Sequence, residues 1–116
     1  MKTMLIAIGS EILTEELART YQNQFHIYTC SRGDDTLKLL QEVKPDILII
    51  NLSLSHITGL EVLQRTQYTP SAILAITNYL SESIIQDACS AGVCALIRLP
   101  CSIKCITSNL EKIISL

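Results

Sequence analysis

The chain has 116 residues, 48% of them hydrophobic and 17% charged, and a formal net charge of −2. Those values fit one globular domain and exclude a disordered chain, a pair of domains and a basic surface that binds nucleic acid directly. No apolar run approaches the roughly 18 residues of a membrane span.

No signal peptide is recognisable ahead of the short apolar run Met4–Ile8. Five cysteines, an odd count without a C-x-x-C pair, suggest neither a disulfide framework nor a zinc site. Free thiols fit the reducing cytoplasm.

In chain order, Met4-Leu5-Ile6-Ala7-Ile8 is an uninterrupted apolar run, which predicts a strand buried on both faces. Gly9-Ser10 ends it, and Ser10 is placed to cap a helix over 11–22, where Leu13, Leu17 and Tyr21 recur every fourth residue. Phe25–Cys30 alternates in part, as a strand near a sheet edge does. Residues 31–34 read as a turn or cap, and Leu37, Leu40 and Val43 place a helix over Thr36–Val43.

After Lys44-Pro45, the run from Asp46 to Asn51 is again a buried strand, and it stops on a polar amide. An eight-residue loop closes on Gly59, and a short helix is expected over Leu60–Thr66. Pro70-Ser71 resets the chain for the strand Ala72–Ile76, which ends on Thr77. Ser81 caps a helix carrying Ile84, Ile85, Ala88 and Cys89, and Gly92 stops it. Cys94–Ile97 is the fifth strand; Pro100 breaks it, and Ile103, Ile106, Leu110 and Ile113 mark a last helix.

Strand and helix thus alternate five times with short links. That order demands a mostly parallel sheet with helices on both faces, and right-handed crossovers leave few topologies. The expected architecture is a flavodoxin-like, doubly wound (βα)5 fold with strand order 2-1-3-4-5, occupying residues 1–116 as one domain. In such folds chemistry sits at the carboxyl ends of the strands.

Several landmarks along the chain resemble the receiver domain of bacterial two-component response regulators. Lys44-Pro45-Asp46-Ile47-Leu48-Ile49-Ile50 is similar to the entry into that family's third strand. Gly59-Leu60-Glu61-Val62-Leu63 is similar to the opening of its third helix. Gly33–Leu40, Thr77, Ala91-Gly92 and Pro100 fall in matching places. The resemblance implies a phosphoryl-accepting aspartate at the end of the third strand and a pair of acidic residues holding Mg²⁺ after the first. It also implies a Ser/Thr after the fourth strand and a lysine before the proline.

This chain has Asn51, Gly9 with Ser10, Thr77 and Leu99 at those positions; only Thr77 and Pro100 keep the pattern. The position of an inward-swinging aromatic in some members holds Leu96. An amide oxygen is a far poorer nucleophile than a carboxylate, and without the acidic pair and the lysine little remains to bind Mg²⁺ or neutralise an acyl phosphate. Gly9, Ser10, Asn51, Thr77 and Leu99 are therefore expected to form a degenerate phosphorylation pocket, with no metal, no cofactor and no enzymatic activity. Replacing clustered carboxylates also removes like-charge repulsion, so the domain should be stable without metal.

Other features have two readings each. Thr77 is either a retained switch residue or a hydroxyl bonding locally; Asn51 is either a ligand contact or the satisfier of loop backbone groups. His56 on the loop and His26 near an edge have no motif around them. Cys101 and Cys105, with Cys89 and Cys94 near them, read as small buried apolar residues rather than a metal or redox group. The face of the fourth helix, fifth strand and fifth helix is rich in Cys, Ala and Ile, which suits a homodimer or protein contact. The resemblance implies a regulatory module, commonly the N-terminal part of a transcription regulator with a DNA-binding domain downstream. The alternative is a flavodoxin-like small-ligand-binding protein or enzyme, although Gly9-Ser10-Glu11 offers no phosphate cradle and no Gly-rich dinucleotide motif exists.

Overall fold

The computed structural model describes residues 1–114. Its elements are β1 (Lys2–Ala7), α1 (Glu11–Tyr21), β2 (Phe25–Thr29), α2 (Gly33–Val43), β3 (Ile47–Asn51), α3 (Gly59–Arg65), β4 (Ala72–Thr77), α4 (Glu82–Ser90), β5 (Ala95–Arg98) and α5 (Ile103–Ile114). The strands form one parallel sheet in the order β2-β1-β3-β4-β5. The expected flavodoxin-like topology is the one observed.

Strand periodicity divides the core in two. Met4, Ile6, Ile47, Ile49, Leu74 and Ile76 point to one face, where Leu17 and Tyr21 of α1 and Ile106 and Leu110 of α5 cover them. Leu5, Ala7, Leu48, Ile50, Ile73 and Ala75 point to the other face, beneath Leu40, Val62, Leu63 and Ala88 of α2, α3 and α4. Burial on both faces is why β1, β3 and β4 read as unbroken apolar runs. β2 lies at the sheet edge, where His26 and Tyr28 are exposed.

Several boundaries differ from the expected ones. α2 begins at Gly33 rather than Thr36, because the Gly33 N–H finds a tertiary acceptor in the Ser55 carbonyl at 3.0 Å. Asp34 and Asp35 then occupy the first turn, where carboxylates suit the helix dipole. β1 extends back to Lys2, which pairs with Phe25. β5 is shifted by one residue to Ala95–Arg98, and the Arg98 side chain stays in solvent opposite Thr77. The cysteines are not all buried: Cys101 and Cys105 pack partly against the core, whereas Cys89 and Cys94 are exposed, on the outer side of α4 and in the turn that leaves it. Among the described residues, no helix is long and apolar enough to cross a membrane.

Candidate functional site

The rigid part of the site is β3. Ile47–Ile50 are buried on both faces, so Asn51 is delivered, half-buried, at the carboxyl rim. Its Nδ2 donates to the Ile8 carbonyl at 3.3 Å, and its Oδ1 accepts the Ser53 N–H at 2.9 Å. The second bond is an Asx turn that starts the β3–α3 loop. At the far end of the loop the Gly59 N–H donates to the Leu52 carbonyl at 3.0 Å. A Cβ on Gly59 would lie 2.1 Å from the Asn51 carbonyl oxygen, so only glycine permits this closure.

Two neighbouring loops complete the rim. Gly9 turns the chain out of β1 with φ +76°, and Ser10 caps α1 by accepting the Leu13 N–H at 3.3 Å. The β2–α2 loop is joined to the β3–α3 loop by a parallel bridge between Arg32 and Ser55. Gly9, Ser10 and Asn51 come together with Ser31, Ser53 and Ser55 around an open cleft of about 530 Å³.

Thr77 and Leu99 stand apart from that cleft's lining. Thr77 is buried at the end of β4; its Oγ1 donates to the Tyr79 carbonyl at 3.0 Å and accepts the Tyr79 N–H at 3.3 Å. The local-bonding reading of Thr77 is the geometry observed. Leu99 donates its N–H to the Thr77 carbonyl at 2.7 Å and packs its side chain against the α1/α5 half of the core. Leu96 packs against the opposite half. The five expected pocket residues therefore fall into two groups, Gly9–Ser10–Asn51 on the cleft and Thr77–Leu99 beside it.

The donor set does not fit Mg²⁺, which needs hard anionic oxygens in near-octahedral array. Gly9 offers no side chain, the Ser10 hydroxyl is engaged as a helix cap, and Asn51 Oδ1 already accepts the Ser53 N–H. Among the described residues no group of three or more His, Cys, Asp or Glu is placed to hold a metal ion. The guanidinium of Arg32, next to the cleft residue Ser31, is paired with Asp34 at 2.7 Å and lies 3.9 Å from Asp35. Its hydrogen bond holds the Asp34 carboxyl below the usual aspartate range. Burial raises the thiol of Cys30 above its ordinary value, and the Sγ lies 3.1 Å from Thr36 Oγ1.

Ser31, Ser53 and Ser55 were not singled out by sequence reasoning. The only signal was the Ser53-x-Ser55 spacing in a loop, where serine is commonplace. His56 is exposed on that loop with φ +70°.

Comparison with known proteins adds four findings. A family model described as the response regulator receiver domain matches residues 9–111. The transcriptional regulatory protein AfsQ1 of Streptomyces coelicolor is 30% identical over 82 residues, covering 67% of this chain and 36% of that protein; the chain thus spans about a third of its length. Among solved structures, the non-phosphorylated HemR receiver domain of Leptospira biflexa superposes with a TM-score of 0.86 at 19% identity, covering 100% of this chain and 96% of that one. A LuxR-family DNA-binding response regulator of Staphylococcus aureus gives 0.80 at 21% identity, covering 97% and 98%.

Proposed function

The chain belongs to the response regulator receiver domain family, and from that premise we propose that it acts as a regulatory, protein-interaction module independent of aspartyl phosphorylation. The observation that carries the reading is Asn51. The position expected to hold the nucleophile bears an amide, whose nitrogen is bound to Ile8 and whose oxygen is bound to Ser53. Phosphoryl transfer depends on positioned charge, and Gly9, Ser10 and Leu99 supply none. Incubation with acetyl phosphate and Mg²⁺, read by intact mass, tests this: the mass stays unchanged, and a stable phosphoryl adduct would overturn the reading.

The output we infer is transcriptional, through a DNA-binding domain downstream, and the site of action is the cytoplasm. The relative AfsQ1 is a transcriptional regulatory protein of which this chain spans about a third. The partner surface is the α4–β5–α5 face, used for a homodimer or another protein. Its support is three uncovered apolar side chains: Tyr79 (67% exposed) and Leu80 (37%) in the loop that leads into α4, and Ile85 (43%) on α4 itself.

A further inference from the structure

We propose that the cleft over Asn51 is a binding site for an uncharged polyhydroxyl molecule of about monosaccharide size. This rests on the phosphorylation-independent reading of the same site. Every residue lining the cleft is uncharged. Its volume of about 530 Å³ lies within the roughly 300–1,000 Å³ of small-molecule sites.

The polar groups are fixed and free at once. Asn51 ties the end of β1 to the β3–α3 loop, and the Arg32–Ser55 bridge with the Gly33 N–H bond at 3.0 Å ties in the β2–α2 loop. All three loops that form the walls are therefore held before any ligand arrives, which lowers the ordering cost of binding. The hydroxyls of Ser31, Ser53 and Ser55 are nonetheless exposed and make no side-chain hydrogen bond within the described residues. Hydroxyls both donate and accept, which matches the mixed donors and acceptors of a polyol. Ile8 and Leu54, both buried, close the floor of the cleft beneath these hydroxyls.

Charge sets the class. The lining offers an anion no cation to pair with, and the adjacent Arg32 guanidinium is paired with Asp34. The adjoining lobe of about 340 Å³ carries Glu11 and Glu15 and repels negative charge further. A neutral ligand meets neither obstacle.

The test is a ¹⁵N–¹H titration of the full chain with glucose, myo-inositol and glucose 6-phosphate, run beside the acetyl phosphate mass measurement. Saturable shifts are expected at the amides of Gly9, Ser31, Ser53 and Ser55 with both neutral polyols, and weaker ones with the phosphate. Ser31→Ala and Ser53→Ala each remove one hydroxyl and are expected to weaken polyol binding about fivefold, the equivalent of one neutral hydrogen bond. Unchanged shifts elsewhere in the spectrum verify that these variants fold. No saturable shift with either polyol, insensitivity to both variants, or tighter binding of the phosphate would overturn the proposal. Polyol silence with no phosphoryl adduct overturns this proposal alone; an adduct overturns the reading on which it rests as well.

Discussion

Asn51 and Ile8 meet at the rim of the sheet, the asparagine Nδ2 donating to the Ile8 carbonyl at 3.3 Å. A carboxylate at position 51 would set a negative oxygen against that carbonyl instead. Asn51→Asp is therefore expected to cost about 1–3 kcal/mol in urea denaturation at neutral pH, the usual penalty for losing a donor and leaving an acceptor unpaired. The variant is also expected to remain unphosphorylated, since Gly9, Ser10 and Leu99 are unchanged. Efficient Mg²⁺-dependent modification of this single mutant would show that Gly9, Ser10 and Leu99 still support phosphoryl transfer.

Loop closure gives a sharper stability test. Gly59→Ala forces a Cβ to within 2.1 Å of the Asn51 carbonyl oxygen, a backbone atom that cannot swing away. A loss of about 3 kcal/mol or more is expected, the upper part of the range for overpacking. Chemical denaturation of Gly59→Ala reads it directly, and a change below about 1 kcal/mol would contradict the close approach of Gly59 to Asn51.

Tyr21 on α1 donates its phenol hydroxyl to Glu111 Oε1 on α5 at 3.0 Å. Tyr21→Phe is expected to lose about 1 kcal/mol. Burial, then the bond and charge of Glu111, raise the phenol's pKa above its ordinary 10.0. The sign follows: the folded state favours the neutral phenol, so its contribution is complete below pH 10.0 and is lost as pH climbs toward the raised value. Denaturation midpoints of the wild type should therefore fall more steeply above pH 10.0 than those of Tyr21→Phe; parallel curves would remove the assigned coupling.

For the α4 face, Ile85→Glu places a charge at the exposed apolar position of that helix without touching the core. If that face is the homodimer contact, the dimer constant should weaken about thirtyfold or more, as for an interface hot spot worth roughly 2 kcal/mol. Light scattering decides it. A wild-type chain that stays monomeric at high concentration would remove the homodimer.

Thiol accessibility can be counted. Cys89 and Cys94 are exposed, whereas Cys30, Cys101 and Cys105 are partly buried. Burial raises the thiols of Cys30 and Cys101 and so lowers their reactive thiolate fraction. Brief maleimide labelling of the native chain should mark Cys89 and Cys94 first, with the other three following more slowly and reaching full labelling on unfolding.

The strands were legible because a sheet covered on both faces writes its burial as unbroken apolar runs, as in Ile47–Ile50. The start of α2 was not, because what begins it is a tertiary bond from Gly33 to Ser55, twenty-two residues away. The exposure of Cys89 and Cys94 escaped the sequence for a similar reason: residue type predicts average burial, but only packing determines which helix face is covered. At the site, Gly9, Ser10 and Asn51 were implied by the family resemblance, and the structure brings the three to one cleft. The separation of Thr77 and Leu99 was not legible, since it depends on where each side chain turns. The serines of the cleft carried no signal because loop serines are ordinary.

The Thr77 hydroxyl, bonded in both directions to the backbone of Tyr79, closes the β4–α4 loop onto itself. Held by its own loop, that hydroxyl makes no hydrogen bond to Asn51 or to α4. Whatever settles over Asn51 and whatever docks against Tyr79 and Ile85 are then expected to bind without cross-talk. Their free energies should add, and substitutions in one region should leave the other's affinity unaltered.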